Sequence, residues 1–169
     1  EVIGLRPLVK DIALASVGGP VSADLQKVID ALSAADGVIL VSPVFQASYS
    51  GLFKSAMDVL PAGTLEGVPV LLGATAGTAR HSLVTEMALR PLVVYMKALP
   101  AQTAVFAASE DFGAAWQRPL SSERPESPLS ERVARAGREL VTLMERFPRQ
   151  APVDPLADFA PMETLLAGR

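Results

Sequence analysis

Gly37-Val-Ile-Leu-Val-Ser-Pro-Val-Phe-Gln-Ala-Ser-Tyr-Ser-Gly-Leu-Phe-Lys54, followed by Pro69-Val-Leu-Leu-Gly-Ala-Thr-Ala-Gly-Thr-Ala-Arg-His81, is the part of the chain that decides its fold. Each run opens on an apolar, β-branched stretch and passes into small and hydroxyl residues just ahead of a helical pattern. Gly37 to Ser42 and Val68 to Ala74 therefore read as strands buried on both faces, the form parallel strands take in sequence. Strands that end this way build a ligand crevice at the carboxyl edge of an open α/β sheet. Ser50 is placed to cap a helix from Gly51 to Leu60, because its hydroxyl can accept from the free amides of the first turn. Pro61-Ala-Gly63 stops that helix.

The alternation continues outward. Ser22 to Ala35 carries Leu25, Val28, Ile29 and Leu32 on one helical face. Ser82 starts a long helix to about Leu99, which Pro91 should kink by removing a donor and crowding the preceding turn. Gln102 to Ala108 reads as a third buried strand. Ser109 to Glu126, with Trp116 and two prolines, reads as irregular. Ser127-Pro128 is a good N-cap and N1 pair. It opens a helix to about Phe147 whose Leu129, Val133, Leu140, Val141 and Met144 should face the core. The chain thus divides into a domain over residues 1–147 and a C-terminal extension over 148–169 without a strong period.

Glu1 to Leu5 reads as a further strand, closed by Arg6-Pro7. Strands alternating with helices predict a parallel sheet with right-handed crossovers: a flavodoxin-like three-layer αβα sandwich, short by one unit. In the order 2-1-3-4-5 the first strand is central. If Glu1 to Leu5 is strand two, the first strand and the phosphate loop after it are expected to precede this sequence. A sheet lacking its central strand would leave two backbone ladders unpaired. The alternative is that Glu1 to Leu5 is itself the first strand of a smaller sheet.

Composition bounds the function. The 169 residues suit one domain with a sizeable core. Half are apolar, but no run approaches the roughly 18 residues of a membrane span. No secretory signal pattern opens the chain, so a cytoplasmic protein is expected. The absence of cysteine excludes disulfides, thiolate metal sites and cysteine nucleophiles. A net charge of −3 with dispersed basic residues argues against a nucleic-acid partner. There is no dinucleotide G-x-G-x-x-G fingerprint and no Walker loop. Ala47-Ser-Tyr-Ser-Gly51 falls short of a nucleophile elbow, and no metal-ligand cluster is visible.

Pro43 to Lys54, with Asp58, resembles the P-x-Y/F-x-x-S-x-S-G-x-x-K-x-x-x-D signature of NADPH-dependent FMN reductases. Ala74 to His81, then Ala88-Leu-Arg-Pro-Leu92, is similar to the next loop and helix of that group. The likeness covers about Glu1 to Met144 and is nearest to reductases that serve two-component flavin monooxygenases. It implies FMN and NADPH (or NADH) as cofactors, a flavin-dependent monooxygenase as a possible partner, and a homodimer or homotetramer. By position, it implies that Pro43, Val44, Phe45 and Gln46 lie along the flavin ring. Thr75, Ala76, Gly77 and Thr78 would meet the ring's polar edge. The helix after Ser50 and Gly51 would border the nicotinamide crevice. The family's Ser/Thr/Arg-rich phosphate anchor does not occur in this sequence.

Hydride transfer from nicotinamide to flavin needs no side-chain acid or base, so no catalytic residue is expected. Arg80 suits a phosphate with its planar fork, or an ion pair with Asp58 or Glu86. His81 can border the ligands, but a structural hydrogen bond is favoured. Lys54 and Asp58, four apart, read first as a local ion pair. Phe45 covers the ring or fills the core edge. Gly51 and Gly77 serve close ligand approach, turn geometry, or both. The helix after Ser82 is apolar nearly all round and so needs a second partner besides the sheet. It carries Met87 where some relatives have an aromatic or His. Other readings are a quinone or azo reductase with tightly held FMN, a flavodoxin-type electron carrier, and a non-catalytic flavin-binding protein. Mild charge and few aromatics disfavour the carrier.

Overall fold

The computed structural model describes residues 1–113 and 128–149. Helices α1 (Val9–Ser16) and α2 (Ala23–Ala34) precede β1 (Val38–Phe45), the two-residue β2 (Ser48–Tyr49) and α3 (Gly51–Asp58). Then come β3 (Pro69–Ala76), α4 (Arg90–Tyr95), β4 (Leu99–Pro100), β5 (Val105–Ala108), the one-turn α5 (Ser109–Phe112) and α6 (Pro128–Arg146). The sheet order is β2-β1-β3-β4, with β5 also on β3. All pairs with β3 are parallel, while β2 folds back antiparallel on β1. This is the expected α/β architecture of a mostly parallel sheet between helices.

Local signals set the elements that match expectation. Ser22 caps α2 by accepting from the Leu25 amide, and Leu25 and Ile29 are buried. Strand β3 is buried along its first six residues, because it has strands on both edges and helices on both faces.

Other elements differ from expectation. Residues 1–4 form no strand, and Arg6–Leu8 make a 3₁₀ turn leading into α1. A strand needs a neighbour for its amides and carbonyls, and residues 1–4 have none here. Strand β1 is longer than predicted and is not buried on both faces. Val38, Leu40 and Ser42 are buried, whereas Ile39 and Val41 are 59% and 55% exposed. Helix α6 covers β3 and β5 rather than this face of β1.

The helix predicted over Ser82 to Leu99 is broken. A 3₁₀ turn spans Ala79–His81, a π turn spans Thr85–Leu89, and α4 follows with Pro91 in its first turn. The Arg90 amide reaches back five residues to the Thr85 carbonyl. Widening one turn is how the helix accommodates the missing donor and bulk of Pro91.

The third strand is also interrupted. Leu99 and Pro100 pair with Pro69 and Val70, and Val105 pairs with Gly73. Ala101 to Ala104 therefore bulge over an interval that Leu71 and Leu72 span in β3. Opposite charges satisfy the bulge. Arg90 donates to the Ala101 and Gln102 carbonyls, and Glu139 accepts from the Gln102 and Thr103 amides. On α6, Leu140 is buried as expected and Leu129 and Met144 are half-buried, but Val133 and Val141 are exposed. Ala136 is fully buried in the same cluster, with Leu71 and Ala101 of the sheet. Trp116, Ser127 and residues 150–169 lie outside the described residues.

Candidate functional site

Backbone pairing brings the two loops together. Pro43 of β1 is the register partner of Thr75 of β3, so the chain leaves both strands at adjacent points of the carboxyl edge. The first loop is a tight hairpin. Phe45 pairs with Ser48, leaving Gln46 and Ala47 as the turn, with φ of 49° and 63°. Two successive left-handed residues are the mark of a type I′ turn, which favours Asn-Gly and strains residues with a Cβ. Phe45 is 61% exposed; Pro43 and Gln46 are exposed and Val44 half-buried. Phe45 therefore does not fill the core edge.

Ser42 and Ser50 hold this hairpin at its base. The Ser42 hydroxyl is buried, accepts from the Ser50 amide at 2.9 Å and donates to the Pro43 carbonyl at 3.0 Å. The Ser50 hydroxyl in turn accepts from the Phe53 amide and caps α3 as predicted. The Tyr49 and Phe53 rings lie 5.8 Å apart and tie β2 to α3. Sequence reading assigned no role to Ser42; the available signal was a single hydroxyl inside an otherwise apolar strand.

The second loop is more open. Thr75 and Ala76 are half-buried, Gly77, Thr78 and Arg80 are exposed, and His81 is intermediate. Asp58 is paired with Lys54 and Glu86 with Arg90, so neither takes Arg80, and the expected Lys54–Asp58 pair forms. Gly51 and Gly77 have ordinary φ, and a Cβ on either would meet no atom within 4 Å. Neither turn geometry nor packing requires glycine at these two positions. The 3₁₀ turn at Ala79–His81 packs beside β5, and β2 contacts the π turn.

A third loop joins this edge and was not anticipated. Asp111 accepts from the Ala108 amide at 2.8 Å and pairs with Arg132 of α6 at 2.7 Å, and Arg132 also donates to the Phe106 carbonyl. The Arg132 hydrogen bond is the main reason that the Asp111 carboxyl sits below the ordinary carboxylate range. The signal in sequence was Ser109-Glu-Asp111 directly after a strand, a helix-start pattern. A hollow of about 1500 Å³ lies at the opposite, amino edge, between the 61–67 loop, the end of α4 and Phe147 to Arg149. None of the predicted site residues lines it. Among the described residues no cluster of His, Asp or Glu could hold a metal, and no helix is long and apolar enough to cross a membrane.

This edge presents an exposed aromatic, two threonines and two glycines beside open space. Such a set suits a flat ring with one polar margin, and it offers no nucleophile–base pair. Residues 1–113 match the family described as NADPH-dependent FMN reductase. A relative from Pseudomonas aeruginosa, an FMN reductase (NADPH), is 37% identical over 66% of this chain and 60% of its own length. An NADH-dependent FMN reductase, SfnF, from Pseudomonas putida is 43% identical over 54% of this chain and 49% of its own. The chain thus spans about half to three-fifths of these relatives. An oxidoreductase structure from Corynebacterium diphtheriae superposes with a TM-score of 0.72 at 43% identity, covering 85% of this chain and 74% of that one. An apo NADH:FMN oxidoreductase (EmoB) superposes at 0.60 with 24% identity, covering 88% and 69%, a likeness of fold alone.

Proposed function

Because the chain belongs to the NADPH-dependent FMN reductase family, we propose that the whole protein moves hydride from a reduced nicotinamide to FMN. The observation that carries this is the Pro43–Thr75 register, which sets the two ring-facing loops side by side at the carboxyl edge. FMN, when bound, supplies the hydride-accepting chemistry, and the protein supplies position and hydrogen bonds. Pro43 to Gln46 form the shelf for the ring. Thr75, Ala76, Gly77 and Thr78 hold its polar edge through hydroxyls and amides. Ser50 and Gly51 open the crevice for the nicotinamide, and Arg80 and His81 stand at its rim for anionic groups. The phosphate anchor implied by the family is not among the described residues. The names of relatives include both NADPH and NADH, and both are candidate donors.

A flavin-dependent monooxygenase is the proposed consumer of the reduced flavin. The proposed setting is cytoplasmic, where reduced nicotinamides are supplied. Self-association is part of the proposal: Leu83, Met87, Val94 and Tyr95 are exposed apolar residues along the π turn and α4, and they suit a second copy. The test is NADPH and NADH oxidation by the full-length protein, with and without added FMN. Saturable oxidation that depends on added FMN is expected. Oxidation by protein with retained flavin and an added quinone would favour the quinone-reductase reading. No oxidation and no FMN binding would overturn the flavin reading.

A further inference from the structure

We infer that Ser42 is a positioning residue for the ring-facing hairpin: a buried latch that holds the Gln46–Ala47 turn in its strained form. The inference rests on the flavin reading for its functional consequence, though not for its structural one. Three observations carry it. Ser42 is 1% exposed, the sole hydroxyl in the buried row Val38, Leu40, Ser42. Its oxygen bridges the two ends of the loop, accepting from the Ser50 amide and donating to the Pro43 carbonyl. Between those ends sit two consecutive left-handed residues that both carry a Cβ. Each left-handed residue of this kind is disfavoured, and such conformations persist only where the surroundings over-determine them.

Strand β2 contributes only two register pairs, Val44 with Tyr49 and Phe45 with Ser48. Among the described residues, the Ser42–Ser50 hydrogen bond joins the two ends of the hairpin, while the Tyr49–Phe53 ring contact holds its second strand to α3. The same Ser50 caps α3, so the latch also sets where the helix begins relative to β1. Removing the Ser42 oxygen would strand a buried Ser50 amide, and the loop can recover that amide only by moving. The hairpin would then leave the geometry in which Pro43 to Gln46 form one shelf.

The experiment compares Ser42→Ala, Ser42→Thr and the double variant Ser42→Ala with Ala47→Gly in the full-length protein. Two readouts are taken. Hydrogen exchange at residues 44–50 needs no ligand; FMN affinity, from quenching of flavin fluorescence, does. For Ser42→Ala, exchange at the Ser50 amide and the hairpin should rise about tenfold while β3 is unchanged. FMN Kd should rise about tenfold, equivalent to about 1.4 kcal/mol. KM for the nicotinamide should move less than twofold. Ser42→Thr retains the hydroxyl and should restore both readouts. Ala47→Gly removes the strain that the latch opposes, so the double variant should recover most of the FMN affinity, a non-additive pair. Unchanged hairpin exchange in Ser42→Ala overturns the latch. Loosened exchange with unaltered FMN affinity overturns its role in positioning. If the unsubstituted protein binds no FMN, the flavin reading fails and the exchange result alone decides the latch.

Discussion

Strands β1 and β3 read alike in sequence, as short apolar β-branched runs ending in hydroxyl residues, yet they occupy different environments. Strand β3 has β1 on one edge and β4 with β5 on the other, and helices bury both its faces. Strand β1 has one long neighbour, and its alternate residues Ile39 and Val41 face outward. An apolar run reports that a segment can be a strand; which faces are covered depends on elements far away in the chain. The two strands nevertheless share one duty, because each delivers a candidate ligand loop to the same edge.

The largest expected effect tests that contrast directly. Leu72→Ala removes a side chain that is 1% exposed at the centre of β3, and it should cost about 2–5 kcal/mol. Ile39→Ala in β1 removes a similar volume from a surface position and should cost less than about 0.5 kcal/mol. Urea unfolding of the two variants measures both. If Ile39→Ala proves as costly as Leu72→Ala, the outer face of β1 is covered in the working protein by another segment or another copy, and the contrast collapses.

The same division explains what the sequence disclosed. Ser50 was legible as a cap, because capping is settled within four residues. The parallel sheet and the pairing of the two loops were legible because both strands carry their own punctuation. The π turn was half legible: Pro91 announced a disturbance, but whether a helix kinks or widens depends on what it packs against. The bulge at Ala101 to Ala104 was hidden, since its stability comes from Arg90 and Glu139, each far away in sequence. The face of α6 was legible in part: Leu140, Leu129 and Met144 turn inward as the pattern predicts, and Val133 and Val141 do not. Ala136, a small residue the apolar pattern passed over, is fully buried with Leu140 against Leu71 and Ala101. In the site, the Ser50 cap was legible, whereas Ser42 and Asp111 left only weak signals, because their roles depend on the Ser50 amide and on Arg132, which the fold brings to them.

A smaller effect separates the two edges of β3 by pH. Glu139 supports the bulge on the β4–β5 side, and hydrogen bonding from Thr103 is the main reason its carboxyl lies below the usual range, with the Gln102 amide and the Arg90 charge adding to it. Asp111 is lowered chiefly by Arg132. A carboxyl whose folded pKa is depressed stabilises the fold fully above its unfolded pKa, about 4, and this contribution is lost as pH falls through the folded pKa. Thermal unfolding followed from pH 6 to pH 3 should show a steepening loss below about pH 4. Glu139→Gln and Asp111→Asn should each flatten that slope while lowering Tm at neutral pH. Slopes identical to the unsubstituted protein would detach these carboxyls from the stability of the β5 edge.

The smallest effect belongs to the ion pair that follows the first loop. Lys54 reaches both carboxylate oxygens of Asp58, at 2.5 and 2.7 Å, and the hydrogen bond to Asp58 is the main cause of the raised Lys54 pKa. The two side chains are 40% and 52% exposed, so solvent screens the pair. A double-mutant cycle through Lys54→Ala and Asp58→Ala should give a coupling of about 0.3–0.5 kcal/mol, shrinking as salt is raised. The pair belongs to the sequence signature of the loop, yet its geometry makes it a minor term in stability, well below the buried latch at Ser42. A coupling above about 1 kcal/mol that survives high salt would mean that this face of α3 is dehydrated in the working protein. In that case the outer surface at α3, like the bare face of β1, would belong to an interface, and the contrast between a finished β3 and an exposed β1 would have to be redrawn for the assembled molecule.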